Sequence, residues 1–244
     1  MMKNNKLTLL ALASAAGLAG AAHGQAFIDN GLPGAGDSGV FAYWDFNSIA
    51  EDGTALPADF YGQAGSTEID FSGYGGDIDS FGGSTVNAQD GAPAGNDLAL
   101  QNGANGGING TFIEIAFDMT NLQDLFIDYK ISGSSTGPNT AQWSYSINGT
   151  DFTDFGPDVG GANVSTTLAS DEFGNITTND LNGVSSAFLR LTFDGGSTTS
   201  STGNNRIDNL TFSGTVVPEP QAFALIAGFL GLTYVMVRRR AHQG

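Results

Sequence analysis

Cysteine is missing from this chain, and histidine is nearly so. Without cysteine there are no disulfide bonds, no thiol nucleophile and no thiolate-bound metal. The two histidines, His23 and His242, lie in the terminal segments, so the central region has no imidazole. This excludes histidine-based catalytic triads and histidine-ligated zinc or copper sites from that region.

Basic residues are also scarce. Between the terminal segments only Lys130, Arg190 and Arg206 are basic, against 24 of the 25 acidic residues, which gives a formal net charge of −21. Such a charge repels phosphate backbones, so nucleic acid is excluded as a partner. Two interpretations of the acidity stay open: solubility outside the cell, or cation binding and a role in a hydrated matrix.

Long helical patterns are absent from the central region, where many of the 36 glycines lie and favour turns over helices. Apolar side chains there recur at every second position, which is typical of strands with one buried face. The pattern predicts six clear strands at 40–46, 112–118, 125–131, 141–147, 187–193 and 206–212, and two short ones at 67–71 and 97–101.

Turn residues separate these strands. Asn148-Gly149 predicts a type I′ hairpin, because both central residues of that turn need positive φ. Strands of this kind bury their apolar faces by forming two packed layers. The sequence therefore predicts one acidic all-β domain at 39–215, an antiparallel β-sandwich of the jelly-roll type. Its first and last strands should lie side by side, with Trp44 near 207–212.

Residues 1–24 have the pattern of a signal peptide. Two lysines precede an apolar run at 7–19, and small residues flank His23 just before Gln25, where cleavage is expected. Export of the chain is therefore predicted. The glycine-rich residues 25–38 are expected to form a flexible lead-in to the β domain.

The C-terminal tail, 216–244, has three parts in a fixed order. A Val-Pro-Glu-Pro motif at 217–220 precedes an uncharged apolar run at 222–237, and three arginines follow at 238–240. The apolar run is near the lower length limit for a membrane-spanning helix. Arginines directly after such a run stay on the cytoplasmic side, so we expect a transmembrane helix there. The prolines should keep 217–221 extended.

This order resembles the PEP-CTERM sorting signal of Gram-negative bacteria. In that family an exosortase, a membrane cysteine protease, recognises the tail and works near the Pro-Glu-Pro motif. The residues of the sorting signal are then Pro218, Glu219, Pro220, Arg238, Arg239 and Arg240. The resemblance implies transient anchoring in the inner membrane, followed by a location at the cell surface or outside the cell. It covers only the tail and carries no information on the β domain.

The β domain itself resembles, more loosely, the exported jelly-roll domains that often precede such tails. The resemblance rests on Trp44-Asp45-Phe46-Asn47, on the hairpin segment at 145–152 and on Arg206-Ile207-Asp208-Asn209. These are structural segments. They imply a carbohydrate-binding-like fold and no particular carbohydrate.

Calcium is the ion that the composition favours, since carboxylates and carbonyls in glycine-rich loops are its usual ligands. Asp77 and Asp79 begin a segment like an EF-hand loop, but Phe81 and Ala88 stand where that loop needs oxygen ligands, so an EF-hand is excluded. A looser calcium site that uses Asp77, Asp79 or Asp208 stays open.

Asp208 is unusual within its predicted strand. Strict alternation places it on the same face as Leu210 and Phe212, where an unpaired carboxylate would be costly. Loop backbone amides or Arg206 could satisfy this carboxylate, and ion binding is the alternative.

The sequence lacks a complete set of acidic residues for glycoside hydrolysis. Sandwich-fold glucanases need three acids on one face of a strand, but Glu68 and Asp70 lack a third. In the segment from Glu114 to Asp118, Ala116 interrupts the series.

Aromatic side chains could instead form a platform for a sugar ring. Tyr43, Trp44, Tyr61, Tyr74 and Trp143 are the candidates. Trp143 is in phase with apolar neighbours and is predicted to be core, whereas Tyr61 and Tyr74 lie in predicted loops and are expected to be exposed.

The sequence favours an exported, non-catalytic surface or extracellular-matrix protein that is sorted by an exosortase and associated with exopolysaccharide or biofilm. The alternative is a carbohydrate-binding module of the jelly-roll type, and a glycoside hydrolase ranks last. Expected partners are the exosortase, the membrane and exopolysaccharide. No glycan-binding residue is assigned from the sequence.

Overall fold

A computed structural model describes residues 38–49, 54–103, 108–156, 159–160, 176–217 and 220–241. The predicted signal peptide at 1–24 lies outside the described residues, and so does the predicted lead-in up to residue 37. Ser38 already belongs to the first strand.

Fourteen strands precede one helix in the described chain. They are β1 (Ser38–Trp44), β2 (Ala55–Pro57), β3 (Phe60–Tyr61), β4 (Glu68–Asp70), β5 (Ile78–Gly82), β6 (Asn96–Gln101), β7 (Thr111–Phe117), β8 (Leu122–Gly133), β9 (Thr140–Ser146), β10 (Thr153–Asp154), β11 (Val159–Gly160), β12 (Ile176–Thr178), β13 (Ala187–Asp194) and β14 (Asn204–Val216), followed by α1 (Pro220–Ala241). Each of the eight predicted strands coincides with an observed one to within a few residues. The prediction of an all-β domain is confirmed.

The strands form two antiparallel sheets of seven strands each. In the first sheet the order is β12-β8-β14-β1-β3, and β6 pairs with both β14 and β5. In the second sheet the order is β10-β9-β13-β7-β4-β2, and β11 also pairs with β9. The two sheets pack face to face, so the predicted antiparallel β-sandwich is confirmed.

The first and last strands of the domain lie side by side, as predicted. Strand β1 pairs antiparallel with β14, with Trp44 opposite Leu210. The ring centroids of Trp44 and Phe212 are 5.3 Å apart. This pairing brings the start of the β domain next to the strand that leads into the tail.

The core lies between the two sheets and is rich in aromatic rings. The ring of Phe117 in the second sheet lies 6.2 Å from Phe41 and 5.2 Å from Phe212 in the first. Further along the core, the ring centroids of Trp143 and Tyr129 are 6.0 Å apart. The indole N–H of Trp143 donates a hydrogen bond to the Tyr129 hydroxyl. Burying each of these side chains contributes about 1.5–3 kcal/mol, so they hold the two sheets together.

The hairpin between β9 and β10 differs from the predicted type I′ turn. Gly149 has a φ of 71°, but Asn148 does not have positive φ, and six residues separate the two strands. The side-chain oxygen of Asn148 instead accepts hydrogen bonds from the backbone N–H groups of Thr150 and Asp151, both at 2.9 Å. The hairpin is confirmed, and the turn type is wrong because the asparagine side chain folds onto the backbone.

Helix α1 begins at Pro220, so the prediction that 217–221 is extended is wrong for Pro220 and Gln221. Proline is tolerated at the first helical position because its missing N–H would have no partner within the helix. Within the residues that the structure describes, no helix is both long enough and apolar enough to cross a membrane. The prediction of a spanning helix over 222–237 is therefore not supported.

Candidate functional site

The aromatic residues proposed from the sequence as a sugar platform do not form one. Tyr43, Trp44 and Trp143 are buried, which confirms the core assignment of Trp143. Tyr61 and Tyr74 were expected to be exposed, but both are half-buried. The Tyr74 hydroxyl donates to a backbone carbonyl at 2.8 Å, and the Tyr61 hydroxyl accepts a backbone N–H at 2.7 Å.

The outward face of the second sheet carries a different set of rings and charges. Because side chains alternate along a strand, β7 buries Ile113 and Ile115 and turns Phe112 and Glu114 outward. Strand β13 pairs with β7 so that Arg190 lies directly opposite Glu114. Residues opposite each other in a sheet point to the same side, so these side chains meet on that outward face.

Arg190 lies between two phenylalanine rings on this face. Its guanidinium carbon is 3.7 Å from the ring centroid of Phe112 and 3.7 Å from that of Phe152. Its Nη2 and Nε both donate to Oε2 of Glu114, at 2.8 and 3.2 Å. We call these four residues the arginine stack.

Neighbouring strands and a hairpin hold the residues of the arginine stack in place, and Arg190 and Glu114 remain partly exposed to solvent. Phe112, Glu114 and Arg190 are held by two paired core strands, whereas Phe152 comes from the hairpin that Asn148 braces. The side chains of Arg190 and Glu114 are 25% and 23% exposed. Planar groups whose positions are fixed before binding lose little entropy when a ligand arrives.

The row that contains Arg190 continues across five strands. Asp70 lies opposite Glu114, Arg190 lies opposite Ser144, and Ser144 lies opposite Asp154. These residues share the outward face of the second sheet. The face therefore presents carboxylates, a guanidinium and phenyl rings together.

The residues proposed for calcium lie at the first sheet. Asp79 is in β5, where its Oδ2 accepts from the Gln101 amide at 2.6 Å. Asp77 precedes β5, and its backbone oxygen accepts from Gln101 N–H. No group of three or more acidic or histidine side chains able to hold a metal exists among the described residues, so Asp77, Asp79 and Asp208 do not form one. A calcium site that uses Asp77, Asp79 or Asp208 singly stays a prediction.

Asp208 does not face the core with Leu210 and Phe212, as strict alternation predicted. Asn209 has a φ of 50°, and the register with β8 shifts between Asp208 and Thr211. This bulge turns Asp208 to the outward face of the first sheet, opposite Lys130. It is 1% exposed there.

The partner of Asp208 is a loop backbone amide, one of the two partners expected from the sequence. Its Oδ2 accepts the N–H of Ser84 at 2.6 Å, whereas its Oδ1 is buried without a hydrogen bond. Burial raises the pKa of Asp208 to about 7; the Ser84 N–H opposes the rise, and the charge of Asp97 adds to it. The carboxyl group therefore titrates near neutral pH.

Asn209 ties the same loop, residues 83–95, to the first sheet. Its side-chain amide donates to the carbonyls of Ser84 and Val86, both at 2.9 Å. Its side-chain oxygen accepts the Tyr43 hydroxyl at 2.7 Å. These contacts give the Asp208-Asn209 segment a structural role in fixing the loop.

Asp97 and Arg206 form an ion pair beside this loop. Arg206 Nη1 donates to Asp97 Oδ2 at 3.2 Å, and Asp97 Oδ1 accepts the N–H of Phe81 at 3.1 Å. Burial raises the pKa of Asp97, and the Arg206 charge opposes that rise. The guanidinium carbon of Arg206 lies 5.4 Å from the ring centroid of Phe81, which is 39% exposed. This contact is longer than the two that Arg190 makes in the arginine stack.

The carboxylates considered for hydrolysis are engaged in other contacts. Glu114 Oε2 accepts two hydrogen bonds from Arg190. Asp70 and Asp118 each accept a backbone N–H two residues ahead, at 2.7 Å. Glu68 is exposed at the start of β4.

The sorting-signal residues are described only in part. Pro218 and Glu219 lie outside the described residues, and Pro220 is the first residue of α1. Arg238, Arg239 and Arg240 are in the last turns of that helix, where the first two are exposed. The role of these residues in sorting stays a prediction.

Sequence reasoning missed the arginine stack, although a signal for it was present. Alternation in the predicted strand 112–118 already turns Phe112 and Glu114 away from Ile113 and Ile115. Arg190 is the one basic residue of its strand. The pairing that puts Arg190 opposite Glu114, and the hairpin that brings in Phe152, depend on long-range register.

Comparison with known proteins returns solved structures only. No family model and no curated protein matches the chain. TmCBM27, described with specific mannan recognition, aligns at 15% identity over 74% of this chain and 99% of its own, with a TM-score of 0.38. The CBM22-1–CBM22-2 tandem of Paenibacillus barcinonensis Xyn10C aligns at 12% identity over 77% and 48%, with a TM-score of 0.42. TmCBM61, solved with β-1,4-galactotriose, aligns at 7% identity over 60% and 85%, with a TM-score of 0.35. At these identities and TM-scores the alignments assign neither a ligand nor an activity to this chain.

Proposed function

We propose that this chain is an exported, non-catalytic carbohydrate-binding module of the jelly-roll type, which binds a polysaccharide through the outward face of its second sheet. The observation that carries the proposal is the arginine stack, where Arg190 lies 3.7 Å from both the Phe112 and the Phe152 ring centroids.

The chemistry of the stack suits a sugar. The C–H face of a pyranose packs against an aromatic ring, and its hydroxyls accept hydrogen bonds from a guanidinium and donate them to a carboxylate. Phe112 and Phe152 supply the rings, and Arg190 and Glu114 supply the forked groups. Gln142 and Thr192, opposite each other on the same face, add further polar groups.

A binding role accounts for these groups better than hydrolysis does. Asp70 and Glu114 are opposite each other on neighbouring strands, which is close enough for a retaining glycosidase pair. Such a pair needs one carboxyl group that donates a proton to the leaving oxygen. Both carboxylates instead accept hydrogen bonds within the fold, Glu114 Oε2 from two nitrogens of Arg190 and Asp70 Oδ1 from the N–H of Ser72.

The proposal includes delivery of the β domain to the cell surface. We place a signal peptide at 1–24 and an exosortase sorting signal at 217–240, because the Pro-Glu-Pro motif, the apolar run and the arginines stand in the order that such signals have. Processing at this tail would leave the sandwich outside the inner membrane, in reach of exopolysaccharide.

A matched pair of phenylalanine substitutions tests the binding proposal. Phe152→Ala removes one ring of the arginine stack, whereas Phe81→Ala removes a ring beside Arg206 on the other sheet. We expect retention on immobilised polysaccharides to weaken by about tenfold or more in Phe152→Ala, equivalent to about 1.4 kcal/mol. Phe81→Ala should bind as the unmodified chain does. Equal retention of both variants, or no retention of the unmodified chain on any polysaccharide, contradicts the proposal.

A further inference from the structure

Arg190 and Glu114 offset each other's charge without using all of their hydrogen-bonding groups. A guanidinium has five N–H groups, and two of those of Arg190, on Nε and Nη2, donate to Glu114 Oε2. No other described residue accepts a hydrogen bond from Arg190, so both N–H groups of Nη1 and one of Nη2 are left. Glu114 Oε1 accepts from no described residue either. The ion pair therefore keeps donors and an acceptor for a ligand.

The two phenylalanine rings decide the direction from which a ligand reaches these groups. The guanidinium carbon of Arg190 lies 3.7 Å from the ring centroids of both Phe112 and Phe152. Two rings cannot both lie this close on the same side, so each ring covers one face of the guanidinium. A ligand can therefore contact only the edge of this planar group, in its own plane, and the side chain is still partly exposed to solvent.

The free edge of the guanidinium selects a pair of neighbouring oxygens. Nη1 and Nη2 direct N–H groups the same way in one plane, which matches two acceptor oxygens held side by side. Two hydroxyls on adjacent carbons of a sugar ring supply such a pair. Each hydroxyl also has a proton of its own, and Glu114 Oε1 can accept one of them. Adjacent hydroxyls thus use both the donors and the acceptor that the ion pair leaves free.

An acidic sugar does not fit the same groups. A ligand carboxylate would offer two oxygens to Arg190 but no proton to Glu114 Oε1, and the two carboxylates would repel each other. Glu114 already offsets the charge of Arg190. The chain between the terminal segments has a net charge of −21, which adds to the repulsion of an anionic ligand.

We infer that the ligand is a neutral polysaccharide whose backbone sugars keep two free hydroxyls on adjacent carbons, and that Arg190 and Glu114 bind this pair. The inference rests on the proposed carbohydrate-binding function and narrows its ligand class. The class includes β-1,4-linked glucans, mannans and xylans, in which the second and third carbons of each sugar carry free hydroxyls. It excludes β-1,3-linked glucans, because a linkage at the third carbon leaves no two adjacent hydroxyls within the chain.

The test compares polymers that differ in linkage. Retention of the full-length chain is measured on insoluble β-1,4-linked glucan, mannan and xylan and on insoluble β-1,3-linked glucan. We expect at least one β-1,4-linked polymer to be bound about tenfold more tightly than the β-1,3-linked glucan. A β-1,4-linked polyuronate has adjacent hydroxyls together with carboxylates. At low salt it should be bound no better than the β-1,3-linked glucan.

Arg190→Lys tests the guanidinium edge itself. Lysine keeps a positive charge opposite Glu114, but one ammonium group replaces the planar pair of N–H groups. Binding to the preferred polymer should fall about tenfold, to the level of the β-1,3-linked glucan. Arg206→Lys is the matched control and should bind as the unmodified chain does, because Arg206 also pairs with a carboxylate beside a phenylalanine ring, but at the first sheet. Melting temperatures show whether both variants are folded, and the linkage comparison in the unmodified chain needs neither of them.

The outcomes distinguish this inference from the proposed function. The inference is overturned if the β-1,3-linked glucan or the polyuronate is bound as tightly as every β-1,4-linked neutral polymer, or if folded Arg190→Lys binds as the unmodified chain does. Loss of binding in Phe152→Ala would then still support the carbohydrate-binding face, with the ligand class wrong. If no polysaccharide is retained, the inference and the proposed function fail together.

Discussion

Replacing Asp208 by asparagine should remove a pH dependence that this one carboxyl group creates. The substitution keeps the size of the side chain and an oxygen that can accept the Ser84 N–H at the position of Oδ2. It removes the charge from a site that is 1% exposed.

The magnitude follows from the difference in pKa between the folded and unfolded chain. Burial raises the pKa of Asp208 from 3.8 to about 7. Because the pKa is higher in the folded chain than in the unfolded chain, the contribution of this carboxyl group to stability is greatest below about pH 4 and is lost as pH rises through 7. At about 1.4 kcal/mol for each pKa unit, the group costs the fold roughly 2–3 kcal/mol between pH 5 and pH 8.

The assay is thermal unfolding of both proteins at pH 5 and pH 8. Comparing the two pH values within each protein cancels any fixed cost of the new amide group. The melting temperature of the unmodified chain should fall by about 5–10 °C more than that of Asp208→Asn. Equal falls in the two proteins would show that the charge of Asp208 is not held in a desolvated site, and would refute this reasoning.

Three further predictions concern the core, the tail and the loop. Phe212→Ala should destabilise the domain by about 3–5 kcal/mol in a denaturant titration, because Phe212 is fully buried against Trp44 and Phe117; a loss below about 1 kcal/mol would contradict the packing. Intact-mass measurement of the exported protein should show loss of 222–244, and a species that retains the C-terminal arginines would contradict the sorting proposal. If Asp77, Asp79 or Asp208 holds calcium, adding a chelator at low ionic strength should lower the melting temperature, because an ion that binds only the folded state stabilises it; an unchanged transition would reject a structural calcium site.

Strand positions were largely predictable because most strands bury one face against the opposing sheet. In β13, and in β7 from Phe112 onward, buried and more exposed residues alternate without interruption, so the period of two in the sequence follows from the fold. Among the strands that were missed, β2, β3, β10, β11 and β12 have two or three residues and are too short to show a period, whereas β5 has five residues whose burial does not alternate. They form through pairing with longer neighbours.

The errors arose where side chains compete with regular backbone geometry. Asn148 binds its own hairpin backbone, which changes the predicted turn. Asn209 adopts positive φ and inserts a bulge, which moves Asp208 from the predicted inner face to the outer face. A pattern of alternating residues contains no information about either effect.

The candidate site was less predictable than the fold. Tyr61 and Tyr74 were expected to be exposed, but their hydroxyls find backbone partners and their rings are half-buried. The arginine stack joins residues from β7, β13 and the β9–β10 hairpin, which are distant in sequence. Only the register between those three elements brings the four side chains together.

Hydrogen–deuterium exchange of the full-length chain, with and without a polysaccharide that it retains, tests the binding face most directly. The account predicts slower exchange in β7 and β13 and around Phe152, because the ligand covers the arginine stack. Exchange in β5 and in the loop 83–95 should not change. Protection confined to β5, to that loop or to β14, with none on β7 or β13, would contradict the assignment of the outward face of the second sheet as the carbohydrate-binding surface.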